Sequence, residues 1–350
     1  MAAGTTIFAT IQGELSKPEL AAEVALATLY FSPIRQLAVQ ETISGTYQQQ
    51  ITRIKQFPSA TTGTETSVPV GFRIEPGHVT VDPVVYEAAT EVTKLAKLTS
   101  KYEIISVLTK LLGNAMAKKY TREFLQSIRG HAMTGLNLDT GASATPNAAV
   151  TYTPQAAHGY ANFLETGATA TTARGNAMLD LECIITEARA KYQMAPWSHI
   201  KGGGTVQTQK LAFLTSSYQA TALQTGVALT VPFYRQFSGA DKYYDFHIGE
   251  VPGMDVFEIW HTEQILAGVV TGEAGGIKFD RTNGYYEGFI LADNAVKELT
   301  WEPEKIFYYP YDEEAQKRER FTVTAYKNFV LQHGQTVAPG LVSAIHIPVK

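Results

Sequence analysis

One uninterrupted helix-forming stretch, residues 100–130, constrains this chain more than any other segment. Ser100 and Glu103 form a capping box, in which the hydroxyl accepts from the amide three residues on and the carboxylate reaches back. Ile104, Leu108, Leu111 and Ala115 recur at helical spacing, with Ile105, Leu112 and Met116 beside them and Phe124, Leu125 and Ile128 further on. Glu103, Lys110, Asn114, Lys118 and Arg122 make an opposing polar stripe. The second half is basic (Lys118, Lys119, Arg122, Arg129), which suits the dipole of a helix C-terminus, and Gly130 is placed to stop it. About 30 residues at 1.5 Å each give a rod of roughly 45 Å. An average globular helix has only about 11–12 residues. Such a rod, with extended segments before it, suggests a scaffold built for assembly.

The segments before it are poor candidates for folding alone. Ser16 and Glu19 form a second capping box, and Leu20 to Phe31 reads as a short, very apolar helix that Pro33 ends. It has too few sequence neighbours to bury itself, so it should pack on something distant, another subunit included. Residues 45–86 read as extended. Tyr47 to Phe57 makes one strand, residues 59–66 a turn-rich tip, and Val68, Val70, Phe72 and Ile74 alternate on the return, with Pro69 arguing against a central position. A lone two-stranded ribbon is marginal in water, so it should lean on a partner. Val79 to Val85 adds an extended piece, and Tyr86 to Ala96 reads as a first helical turn or two.

After the long helix, residues 131–175 are rich in Gly, Ala, Thr, Asn and Pro and read as neutral loops around one short helical piece, His158 to Leu164. Asn176 caps a second helix, buried through Met178, Leu179, Leu181, Ile184, Ile185 and Ala188 and ended by Pro196. Leu211 to Thr215 reads as a buried strand, Ser216 to Gln224 as a helix, residues 249–262 as a Gly-bounded strand and Ala292 to Leu299 as a short helix. Two or three strands fill residues 321–349. The fold class is α+β.

Composition narrows the function. Of 350 residues only 18% are charged while 45% are hydrophobic. The usual charged share is about 25%. So neutral a surface implies buried interfaces, or else large neutral loops on a monomer. A net charge of −4 lacks the basic footprint of a dedicated nucleic-acid binder. Cys183, the one cysteine, lies in an apolar helical run and reads as core. The start of the chain has no signal-peptide pattern, and no apolar stretch is long enough to span a membrane.

No catalytic pattern emerges. The eight histidines show no metal-ligand spacing. Residues 201–205 and 272–278 are Gly-rich but fit neither a Walker loop nor a dinucleotide fingerprint, and read as flexible loops. Asp312, Glu313 and Glu314 precede Lys317, Arg318 and Arg320. Their Glu313–Lys317 and Glu314–Arg318 spacing fits helical pairing, either solvated or between subunits. The basic stripe on the long helix faces nucleic acid, an acidic neighbour or solvent. No cofactor is expected.

The order of elements resembles the major capsid protein of tailed bacteriophages, the Hong Kong 97-type fold, and most of all the coats of short-tailed phages. Residues 45–86 resemble the family's extended loop, residues 100–130 its spine helix, and the pieces after Asn176 its axial domain. Residues 249–259 and 321–330 are similar to a loop leading into a core strand and to a late peripheral strand. The implied division is an N-terminal arm (1–44), an extended hairpin loop (45–86), a peripheral domain with the spine helix (87–175), a mainly axial domain (176–300) and a strand-rich tail returning to the peripheral domain (301–350).

The resemblance implies a non-enzymatic shell protein of the virion, self-assembling as hexamers and pentamers around double-stranded DNA. Its partners would be further copies of itself, scaffolding, portal and decoration proteins, and weakly held packaged DNA, with no membrane; assembly would occur in the host cytoplasm. Arg53, Lys55, Arg73, Glu75, Glu313 and Arg318 are then candidates for intersubunit contact, and Lys110, Lys118 and Arg122 for facing the genome or a neighbour. Some members cross-link a lysine to an asparagine; nothing in this sequence places Lys55 and Asn328 together. Two alternatives remain: an encapsulin-type nanocompartment shell, and an enzyme or binding module whose site forms only in three dimensions.

Overall fold

The computed structural model describes residues 22–28, 32–45, 47–54, 76–93, 104–131, 133–134, 185, 188–189, 193–195, 197–199, 208–218, 220, 247–251, 253–266, 269–272, 275–280, 285–309, 318–332 and 342–347. Both capping boxes, the hairpin tip and its return at 68–74, the neutral loops beyond residue 134, Asn176, Cys183, residues 201–205 and the acidic run 312–314 lie outside them.

In chain order the elements are α1 (residues 22–28), the 3₁₀ turn η1 (Pro33–Leu37), β1 (Val39–Thr42), β2 (Gln49–Ile54), β3 (Pro76–Val81), β4 (Val84–Thr93), α2 (Ile104–His131), β5 (Met133–Thr134), β6 (Trp197–His199), β7 (Thr208–Ser216), β8 (His247–Val251), β9 (Met254–Ile259), β10 (Thr262–Leu266), β11 (Val269–Gly272), β12 (Ile277–Asp280), β13 (Tyr285–Tyr286), β14 (Gly288–Leu291), β15 (Val296–Tyr309), β16 (Arg318–Leu331) and β17 (Ala344–Ile347). They fall into two compact units, residues 1–49, 82–123 and 298–329, and residues 50–81, 124–297 and 330–350.

The first unit is a sheet in the order β1-β15-β16-β4 with helical residues on one face. β4 and β16 pair antiparallel over ten positions, from Arg318↔Thr93 to Lys327↔Val84. Strand alternation puts Tyr86 and Val92 with Phe321, Val323 and Ala325 on the buried face. Tyr86 meets Tyr120 of α2 edge-on at 5.4 Å between centroids, and Tyr120 meets Phe329 at 6.1 Å. The helical turn expected from Tyr86 is therefore a strand through Thr93. Its β-branched Val84, Val85, Thr90, Val92 and Thr93 suit a pleated surface, and β16 supplies the ladder.

At 28 residues α2 is a rod of about 42 Å, as the sequence spacing predicts, but its buried face is rotated. Thr109, Leu112, Met116, Ala117, Tyr120, Thr121, Phe124, Leu125 and Ile128 are buried, whereas Leu111 is exposed. The rotation follows from α1. Its Ala27 and Val24 lie where a Cβ on Gly113 would fall, so only glycine lets the helices approach this closely. Thr109 also donates to Glu23 at 3.3 Å, and Ser32 shares a 2.7 Å hydroxyl contact with Thr121. The short apolar helix thus packs on a sequence-distant element of its own subunit.

The second unit holds a seven-stranded mixed sheet, β5-β17-β14-β7-β9-β8 with β6 also on β7, a four-stranded sheet β11-β10-β12-β13, and the two-stranded ribbon β2-β3. Leu211 to Ser216 are all buried, so the central β7 is apolar on both faces. β9 is likewise buried on both faces. The glycines at 275 and 276 form a turn leading into β12 rather than a flexible loop: Gly275 has φ 82°, and a Cβ on Gly276 would strike the His261 carbonyl. The helix expected over Ala292 to Leu299 is a turn followed by β15. Asn294 adopts φ 53°, and the Ala292, Asp293 and Gln332 amides donate to Ser343, Ala195 and Ala295 carbonyls, linking to other segments instead of four residues back.

Candidate assembly surfaces and buried ion-pair centres

Two clusters of buried charge organise the units. In the first, Arg35 of η1 donates from Nε to Glu298 Oε2 at 2.9 Å and from Nη2 to Oε1. Lys327 of β16 reaches Glu298 Oε1 at 3.0 Å and Glu304 Oε1 at 2.9 Å, and the Tyr120 hydroxyl donates to Glu304 at 3.0 Å. Both cations sit over the Tyr120 ring, at 4.7 and 5.1 Å. All five residues are buried. Two cations facing two carboxylates balance, which is what makes burial of four charges tolerable. Burial alone would push the Glu304 carboxyl up; Lys327 outweighs it and holds it below its ordinary value.

In the second cluster, Arg129 near the end of α2 grips Glu287 with Nε at 2.7 Å and with Nη2. Glu287 also accepts the Lys278 amide at 2.8 Å and lies 2.7 Å from His346 Nε2, whose ring stacks on Phe289 at 4.9 Å. Burial would raise this carboxyl, but Arg129 and then His346 hold it at about 2. Arg129 further donates to the Gly276 carbonyl at 2.6 Å, while the Gly275 amide donates to Glu263. These charged groups are spent on one another, which is an arrangement for rigidity.

The clusters escape sequence reading because their members are far apart in the chain. One signal exists: Lys327 continues the inward period-2 row of Phe321, Val323 and Ala325, and a cation there demands a buried counter-charge. Of the candidate contact residues, Arg53 and Arg318 are described only as backbone positions of β2 and β16, and Lys55, Arg73, Glu75 and Glu313 lie outside the described residues. Arg318 and Arg320 belong to the strand β16, and Glu314 lies outside the described residues. Asn328 donates to the Asp82 carbonyl at 2.7 Å. On α2, Lys110 and Arg122 are exposed, Lys118 is half-buried with contacts of its own, and Lys119 pairs with Glu123.

Among the described residues no group of three or more His, Cys, Asp or Glu is placed to hold a metal, and no helix is long and apolar enough to cross a membrane. Large apolar side chains are exposed in both units: Leu26, Tyr47, Val84, Val85, Val107, Leu111, Phe307 and Tyr326 in the first, Tyr218 and Trp260 in the second.

No protein-family model matches the chain, and no curated protein does. Solved structures do. The mature capsid of bacteriophage PhiM1 is 12% identical, with a TM-score of 0.54 over 89% of this chain and 85% of that one. The head of Helicobacter pylori bacteriophage KHP40 is 11% identical, with a TM-score of 0.53 over 88% and 86%. The capsid of a native GTA particle is 11% identical, with a TM-score of 0.53 over 91% and 89%. The chain has the Hong Kong 97-type fold of phage capsid subunits.

Proposed function

We propose that this chain is the major capsid protein of a tailed bacteriophage, a structural protein of the virion that assembles as hexamers and pentamers into an icosahedral shell around double-stranded DNA. The likeness to the PhiM1 capsid subunit over 89% of the chain carries this reading. The internally satisfied charge clusters and the apolar residues left exposed on the first unit support it. Scaffolding, portal and decoration proteins would be its partners, and assembly would take place in the host cytoplasm. Arg53, Lys55, Arg73, Glu75, Glu313 and Arg318 would meet neighbouring subunits.

Electron microscopy of the purified chain, alone and expressed with its neighbouring genes, tests this. Rings or closed shells are expected, with nuclease-protected DNA in mature particles. Shells that hold protein cargo and no DNA would make it a compartment protein instead. A chain that stays monomeric under both conditions would overturn the reading. Removing residues 60–66 should abolish shells and leave a folded subunit.

A further inference from the structure

We draw no further inference here: the strongest candidate, the exposed apolar stripe of Val107 and Leu111 along α2, carries none because nothing in the structure shows what covers it.

Discussion

Arg35 and Glu298 stand 263 residues apart in the chain and meet as a buried two-point ion pair. Glu298 shares its second cation, Lys327, with Glu304, so the cluster is neutral only with all four charges present. Arg35→Met should therefore leave two buried carboxylates against one ammonium and destabilise the subunit by about 3–5 kcal/mol. Lys305→Met, which breaks the exposed pair with Glu302, should cost about 0–1 kcal/mol. Urea unfolding of unassembled subunits measures both. Equal effects would show that the buried cluster carries no special weight.

Gly113 and Ala27 set how closely α1 lies on α2. Gly113→Ala should gain about 1 kcal/mol in helix propensity. It also drives a methyl into Ala27, whose side chain has no flexible end to yield, at about 1–3 kcal/mol. The net change should be destabilising or near zero, with faster amide exchange in residues 22–28 and in the α2 residues facing them. Adding Ala27→Gly should restore the exchange rates of the α2 residues facing α1. Exchange that ignores both substitutions would mean that α1 is not held here.

Much of this architecture was legible in the sequence: the long rod, the first strand of the ribbon before it, buried β7 and the strands near the C-terminus all announce themselves by period. What escaped was decided by distant partners. Tyr86 to Thr93 became a strand because β16 offers ten cross-strand positions, and α2 turned its core face because α1 fits over Gly113. Arg129 looked like a helix-end cation, yet its role is to hold Glu287, 158 residues away. Spacing along a chain cannot report a pairing of that reach.

Glu287 makes acid sensitivity a local property. Its carboxyl is held at about 2, well below the ordinary value of about 4.3. A depressed carboxylate stabilises the fold above its unfolded pKa. That stability is lost as pH falls from about 4.3 towards 2. Glu287→Gln should be less stable than the parent at pH 7, and the gap should narrow across this window. Thermal melts of unassembled subunits at pH 7, 4 and 3 follow it. A gap that stays constant with pH would contradict the assignment.

Tyr86 and Tyr120 touch edge to face yet spend their hydroxyls differently. The Tyr120 hydroxyl donates to Glu304, whereas the Tyr86 hydroxyl is buried with no hydrogen-bond partner among the described residues. Burial pushes both phenols above their ordinary pKa, so both are neutral at physiological pH. Tyr120→Phe removes a hydrogen bond to a buried carboxylate and should cost about 1.5–3 kcal/mol. Tyr86→Phe removes a group that was desolvated without return, so it should be neutral or stabilising by up to about 1 kcal/mol. Both keep the ring pair, so packing cancels in the comparison. Chemical denaturation of the two variants decides it, and a Tyr86→Phe loss as large as that of Tyr120→Phe would mean that its hydroxyl is bonded after all.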